Sequence, residues 1–273
     1  MRIIAHISDL HFGREDRKIA DALRDDLISH TPSLIVASGD FTQRARTSQF
    51  RKARTFLDSL PFKIIAIPGN HDIPLFDLFR RIFFPLQRYK KFISEDLNPL
   101  YSDDEIVVCA LNTARSLAWK EGRISVGQIS YLSSKLCSFP NDRFKIVVTH
   151  HPFIPPPDNP SIKIVGRSGL ALDAIDECNA DLLLSGHLHV DYSGDVRGFY
   201  VKRKRSVISV QAGTAISVRT RNEPNAYNLI NIIQNRIDIQ VRTWDGHAFT
   251  DALLTSYEKT GSEWVHLDKT EFK

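Results

Sequence analysis

The amino-acid sequence predicts a layered α/β fold, and two observations carry that expectation. Short apolar runs rich in isoleucine, valine and leucine recur along the chain, each closing on a cluster of polar residues. Segments with the spacing of amphipathic helices lie between several of these runs. Buried strands have this length and composition, and strands alternating with helices pack as layers.

Taken in order, Ile3 to Ile7 leads into Ser8-Asp9-Leu10-His11, and Leu34 to Ala37 leads into Ser38-Gly39-Asp40. Ile64 to Ile67 leads into Pro68-Gly69-Asn70-His71-Asp72. Lys145 to Val148 is followed by Thr149-His150-His151-Pro152, and Leu182 to Leu184 by Ser185-Gly186-His187-Leu188-His189. Helical patterns fall at roughly 17–29, 47–59, 127–138 and 169–178, with Ser125 placed to cap the third and Ser168 the fourth. After His189, segments near 206–211, 226–233 and 236–243 alternate or run apolar without helices between them, which predicts an antiparallel continuation of the sheets. From 246 onward there is little pattern. The chain therefore reads as one domain over 1–245 and a C-terminal tail over 246–273.

Length and composition are ordinary for a soluble globular protein: 273 residues, 42% hydrophobic and 25% charged. The net charge of +4 leans only weakly towards anionic ligands. Cys109, Cys137 and Cys178 are far apart in apolar surroundings, so reduced, partly buried thiols are expected. With no signal peptide ahead of the first strand and no apolar run of bilayer-spanning length, the expected location is the cytoplasm.

Ligands of layered α/β folds bind outside the carboxyl ends of the strands, so the five polar endings should converge. They supply Asp9, His11, Asp40, Asn70, His150, His187 and His189, a set of oxygen and imidazole donors without thiolate. Such a set suits manganese or iron first, with zinc and cobalt compatible. Seven donors exceed the protein shell of one ion and suit two sharing a bridge. The histidine distribution agrees, since six of the 10 histidines (11, 71, 150, 151, 187 and 189) fall inside these endings.

Asp-x-His, Gly-Asp, Gly-Asn-His-Asp, His-His-Pro and Gly-His-x-His, in this order from Met1 to about Ile233, resemble the signature of the calcineurin-like metallophosphoesterases. The resemblance implies a four-layer α/β/β/α sandwich of two mixed sheets. It also implies two divalent or mixed-valence metal ions, one held by Asp9, His11 and His189, the other by Asn70, His150 and His187, with Asp40 bridging. The activity implied is hydrolysis of phosphate esters by a hydroxide held between the metals, with His71 as general acid. Such an acid contributes roughly 10²–10⁴-fold. Asp72 is a candidate to orient His71, and it reads equally well as a cap for the next helix. His6, inside the first strand, is expected as a hydrogen-bonded core histidine.

Leu111-Asn112-Thr113, Gly122-x-Ile124 and Gln128-x-x-x-Leu132 resemble the bacterial class III cyclic nucleotide phosphodiesterases, which often carry Leu-Asp-Ser at the first of these segments. A cyclic nucleotide or similar small phosphodiester is therefore the expected substrate. Asn112, Arg115, His151 and Arg219 are the candidate substrate contacts, and Arg221 is a further candidate phosphate anchor, because a guanidinium can grip two phosphate oxygens at once.

Residues 75–93 place Leu75, Phe79, Ile82, Phe83, Leu86 and Ile93 on one helical face, with Arg80, Arg81, Arg88 and Lys91 opposite and Pro85 interrupting the register. Such a stripe usually packs with its charges solvated, so a packed cap beside the pocket is expected. Contact with an anionic membrane surface is the second reading, and with it comes an alternative substrate, a nucleotide-sugar lipid pyrophosphate. A non-catalytic scaffold is the third functional reading, disfavoured by the complete donor set and His71. The run Lys202-Arg203-Lys204-Arg205 reads as a solvated turn, and nucleic acid is not an expected partner, because no aromatic platform accompanies it. Oligomerisation is left open by the residues.

Overall fold

The computed structural model describes residues 1–203, 205–220 and 223–272. Two sheets form its centre. The first contains β1 (Arg2–Ile7), β2 (Leu34–Ala37) and β3 (Ile64–Ala66) as parallel neighbours. The second is built on β4 (Leu100–Ser102), β5 (Ile106–Leu111), β6 (Phe144–Thr149) and β7 (Leu182–Ser185), with β8 (Tyr192–Asp195) and β9 (Ile208–Gln211) completing it in the order β4-β5-β6-β7-β9-β8. The chain then returns to the first sheet through β10 (Ala226–Ile233) and β11 (Arg236–Trp244), antiparallel to β1 and to each other.

Side chains on successive strand residues point to opposite faces, and this alternation sorts the core into three slabs. Ile4, Val36, Val108, Ile146, Leu184 and Ile230 meet between the sheets. Ala5, Ile7, Ile35 and Ala37 turn outward against α1 (Arg17–His30) and α2 (Thr47–Asp58). On the far side Val107, Cys109, Val147 and Leu183 meet α5 (Val126–Leu136) and α6 (Ser168–Glu177). The result is the expected four-layer α/β/β/α sandwich. Ser125 caps α5 by accepting from Gln128 N–H at 3.1 Å. Ser168 does not cap α6; it is the first helical residue, and its hydroxyl accepts from Tyr200 at 2.7 Å.

Four further expectations need correction. The stretch from 246 is not a tail: β12 (Phe249–Thr260) and β13 (Glu263–Glu271) extend the first sheet beyond β11. Most of their side chains are exposed, so the pattern is faint, yet Tyr257 and Trp264 reach the slab between the sheets, Trp264 packing against Phe144 at 5.9 Å. The segment near 206–211 does not continue antiparallel to β7; its strand β9 pairs parallel with it. Cys137 and Cys178 are joined in a disulfide, because they occupy the C-terminal caps of the neighbouring helices α5 and α6, an adjacency their separation of 41 residues conceals. Cys109 stays free and buried, its thiol pushed up to about 12 by burial.

The fourth correction concerns residues 75–93. Pro85 does divide them, into α3 (Leu78–Phe83) and α4 (Gln87–Phe92). The second half packs, burying Leu86 and Tyr89, but Phe79, Ile82 and Phe83 in the first half stay exposed. The charged run at 202–205 is tied down: Arg203 pairs with Asp173 at 2.8 Å and Asp176 at 2.7 Å on α6, while Lys204 lies outside the described residues. No helix among the described residues is long and apolar enough to cross a membrane.

The role of the last hairpin can be measured. Trp264→Ala should lower the unfolding free energy in urea by about 3–5 kcal/mol, the cost of truncating a buried aromatic. A residue of a solvated tail would leave the midpoint where it was.

Candidate metal centre

The polar endings of β1, β2 and β3 and those of β6 and β7 come from different sheets and meet at one seam. Asp9, His11, Asp40, His150 and His189 are buried there, and Asn70 stands at its edge in a single 3-10 turn, Asn70–Asp72. Asp9 Oδ1 lies 3.4 Å from both His11 Nε2 and His189 Nε2, so one carboxylate faces two imidazoles. Asp40 Oδ2 lies 3.7 Å from His11 Nε2 and 3.5 Å from His150 Nε2. His150 Nε2 is also 3.2 Å from Asn70 Oδ1. His187 stands edge-on to His150 with ring centroids 5.2 Å apart.

Surrounding groups orient these side chains. The Nδ1–H of His150 donates to the Ser38 carbonyl at 2.8 Å, which turns its Nε2 lone pair inward. Thr214 holds His189 through Nδ1. Asp9 Oδ2 accepts from Ser8 Oγ at 2.7 Å and from His187 N–H at 2.9 Å, leaving Oδ1 aimed at the cluster. His6 Nε2 shares a hydrogen bond with Ser38 Oγ at 3.0 Å, and burial pushes the ring down to about 3 against the pull of Asp9, so it is a neutral core residue as expected.

The backbone is strained where it delivers these groups. Ten non-glycine residues among those described have positive φ, and five of them are Asp9, His11, Asp40, His187 and His189. Each such conformation costs on the order of 1–3 kcal/mol and persists where the surroundings enforce it, typically at functional sites. Two glycines permit the close approach of the loops. A Cβ on Gly69 would lie 2.4 Å from the Asp40 backbone nitrogen, and one on Gly186 would lie 1.9 Å from Ser8 Oγ.

The donor set fits divalent cations. Asp9 Oδ1 and both ring nitrogens of His11 are buried with no hydrogen-bond partner, and polar groups are rarely left so. Carboxylate oxygens, an amide oxygen and imidazole lone pairs converge with no thiolate among them, which is oxygen–nitrogen coordination chemistry. Although burial works against it, facing histidines hold both Asp9 and Asp40 far below the usual carboxylate range, so both carry charge.

Other expected residues take different places. His71 is half-buried, with Nδ1–H donating to the Gln43 carbonyl at 2.9 Å and Nε2 accepting from Arg219 Nη1 at 3.0 Å. Asp72 neither touches the His71 ring nor caps α3, whose cap is Asp77. Its carboxylate accepts from Gly69 N–H at 3.0 Å, Thr42 N–H at 2.9 Å and Phe41 N–H at 3.2 Å, fastening the loop of Asn70 to the loop of Asp40.

A pocket of about 240 Å³ opens at His71, lined by Gln43, Arg44, Asn70, Ile73, Leu75, Trp119, Lys120 and Arg219. Arg219 is thus where a substrate contact was expected. Arg115 is not: its guanidinium is spent on the Asn112 and Ala114 carbonyls and on Gln128. Asn112 is buried and accepts from Ala114 N–H at 2.9 Å. His151 uses both nitrogens, accepting from Thr113 Oγ at 2.7 Å and donating to the Lys120 carbonyl at 2.9 Å. These three shape the loop that carries Trp119 rather than lining the pocket. Arg221 lies outside the described residues. Arg44, Trp119 and Lys120 escaped sequence reasoning; proximity of Arg44 to Asp40 was the one available signal.

A buried nitrogen–oxygen cluster at the strand ends of this sandwich, together with the family match, defines a metal-dependent phosphoesterase. The chain belongs to the calcineurin-like phosphoesterase family, which matches residues 3–191. It is 28% identical over 201 residues to the glycerophosphodiester phosphodiesterase GpdQ of Enterobacter lignolyticus (strain SCF1), covering 68% of this chain and 70% of that protein. The fold is similar to that of a dimetal phosphatase from Danio rerio, with a TM-score of 0.65 and 14% identity over 89% of this chain and 96% of that one. It is also similar to the purple acid phosphatase PPD1 of yellow lupin (Lupinus luteus) seeds, with a TM-score of 0.68 and 12% identity, covering 93% of this chain and 53% of that one. Family and donor set together imply a binuclear divalent metal centre.

Chelation should lower the thermal midpoint and added manganese should restore it. A ligand that binds only the native state stabilises it by about 2.7 kcal/mol at a hundred times its Kd. Asp40→Ala should bind less metal by elemental analysis, and an unchanged metal content would remove Asp40 from the centre.

Proposed function

We propose that the protein is a phosphodiesterase acting on small phosphodiesters. In this reading Asp9, His11 and His189 hold one divalent ion, Asn70, His150 and His187 hold the second, and Asp40 stands between them. The observation that carries it is the position of Asp40, whose one oxygen faces His11 at 3.7 Å and His150 at 3.5 Å, one imidazole from each sheet. When bound, such ions draw charge from phosphoryl oxygens and lower the pKa of water to about 7 in favourable sites. Manganese or iron fits the donors first, and zinc or cobalt remains compatible.

The chain's own residues supply the rest. Arg44, Lys120 and Arg219 give the pocket a cationic wall for phosphate oxygens. Gln43 fixes the His71 ring through Nδ1, so Nε2 points to the Arg219 side of the pocket. A phosphate that draws Arg219 to itself frees the Nε2 lone pair, which then takes up a proton from solvent and passes it to the departing oxygen. Ile73, Leu75 and Trp119 form an apolar wall that receives the second ester group and excludes water.

Charge alone favours monoesters, since a monoester carries close to two negative charges near neutral pH and a diester one. Preference for diesters must therefore come from that apolar wall. Trp119 supports a planar base, as in a cyclic nucleotide; the likeness to a glycerophosphodiester phosphodiesterase supports a glycerol ester. The complete donor set and His71 argue against a non-catalytic scaffold.

With matched metal loading, kcat/KM should be higher for bis(nitrophenyl) phosphate than for nitrophenyl phosphate, and a cyclic nucleotide or glycerophosphodiester should be turned over. A better monoester than diester would overturn the diesterase reading. His71→Ala should keep its metals and lose roughly 10²–10⁴-fold in kcat on esters with poor leaving groups. The loss should shrink for nitrophenyl esters, whose leaving oxygen needs little protonation; an equal loss on both would make His71 a positioning residue.

A further inference from the structure

The apolar side chains in the first half of the 75–93 segment are largely uncovered: Phe79 packs on Phe83 and Phe84 of the same segment, and Phe76 meets the Arg44 guanidinium 5.4 Å from its ring centroid. Phe76 is 78% exposed, Phe79 66%, Phe83 63% and Ile82 56%, an accumulation unlike the singly scattered apolar residues of an ordinary surface. Leu117 and Trp119, also exposed, stand on a neighbouring loop, and Arg81 ties that loop to α3. Its guanidinium donates to the Pro74 carbonyl at 3.0 Å and to the Ala118 carbonyl at 2.7 Å, and lies 4.9 Å from the centroid of the Trp119 ring. Phe79, Ile82 and Phe83 thus project from α3, which Arg81 fastens to the loop of Trp119.

Charge says what covers them. Residues 75–93 carry five cationic side chains against the single carboxylate of Asp77, a net of +4, which equals the excess of the whole chain. Beside the apolar face lies a groove of about 960 Å³ walled by Arg51, Arg54, Arg80, Arg88, Lys90 and Lys91, with Glu95 its one carboxylate. Arg80 belongs to both the groove and α3. Exposed aromatics on one side and a cationic groove on the other match the interface of an anionic bilayer, where apolar side chains enter the acyl boundary and cations meet the head groups. A second copy of the chain fits less well, since a two-fold interface sets each patch against itself and brings like charges together.

We infer that the face formed by Phe76, Phe79, Ile82 and Phe83, with the adjoining cationic groove, docks the protein on anionic lipid bilayers. This surface is independent of the diesterase reading. Arg81 joins it to the loop of Trp119, which lines the pocket, so the docked protein opens its pocket close to the lipid head groups.

Vesicle co-sedimentation of the full chain tests it, using phosphatidylcholine alone and phosphatidylcholine with roughly a third phosphatidylglycerol. Binding should be roughly tenfold or more tighter to the anionic vesicles and should weaken as salt rises. Phe79→Ser with Phe83→Ser should reduce binding roughly tenfold or more while leaving the thermal midpoint and the turnover of bis(nitrophenyl) phosphate unchanged. Lys90→Glu with Lys91→Glu should abolish the preference for anionic lipid. The inference fails if neither vesicle binds, or if the phenylalanine variant binds as well as the parent. It fails also if sedimentation velocity shows a dimer, without lipid, that the phenylalanine variant dissolves. Loss of diester turnover in the unaltered chain would bear on the diesterase reading and leave the vesicle result standing.

Discussion

Everything in this structure is arranged around two buried carboxylates, Asp9 and Asp40, that must stay charged. An isolated ion in a protein interior costs several kcal/mol even after relaxation, so neither is tolerable without groups that offset its charge, the facing imidazoles and, when bound, divalent ions. Asp9 and Asp40 come from the first sheet, and two of the imidazoles that face them, His150 and His189, come from the second. The carboxylates therefore dictate more than a binding site. They set how the two sheets lie on each other, because a shift of either sheet along the seam would leave a buried charge without its partner.

That constraint explains the backbone around the seam. Extended strands cannot turn within two residues and still aim a carboxylate and an imidazole at one point, so Asp9, His11, Asp40, His187 and His189 adopt positive φ. The strain is enforced from outside, by hydrogen bonds that admit little movement: Asp72 grips the loops of β2 and β3 together, and Asp9 Oδ2 grips the loop after β7 through the His187 N–H. Gly69 and Gly186 sit where one of these loops crosses another, too close for a side chain. Asp72, expected as a helper of His71 or as a helix cap, proves to be a fastener of the seam.

Legibility in the sequence followed the same division. The seven donors could be read because each ends an apolar run, and strand ends of a layered fold must converge; the structure brings all seven together. Helices α1, α2, α5 and α6 were legible within two residues, since each keeps an apolar face on a sheet. What could not be read depends on adjacency across the fold. The β4–β5 pair lay hidden because β4 is only three residues long with none of them fully buried, whereas β5 is an apolar run that closes on Asn112-Thr113 as the other strands close on polar residues. The last hairpin has few buried apolar residues: Tyr257 and Trp264 reach the inter-sheet slab, and Phe249 packs on the outer side against Tyr227 and Trp244. The Cys137–Cys178 bridge depends on two helix ends meeting. Arg115 looked like a phosphate anchor by position, yet three carbonyl-type oxygens capture it, which no spacing rule foretells.

The same reasoning explains why chemistry is easier to read here than substrate. The donor cluster is buried and over-determined, so its residue types and spacing have little freedom and leave a signature. The pocket walls are different. Gln43 and Arg44 lie just past Asp40, Leu75 precedes an exposed helix, Trp119 and Lys120 sit on a loop whose Lys120 carbonyl accepts from His151, and Arg219 lies on the chain's last crossing between the sheets, from β9 to β10. Apart from Asn70 and His71, which the seam itself holds, these wall residues sit on separate loops outside the donor cluster. Substitutions there alter the pocket without exposing a buried charge, so the fold imposes no pattern on them. A sequence can therefore announce phosphate ester hydrolysis through seven residues while substrate choice is distributed over side chains that share no motif, and only the assembled walls reveal which groups meet.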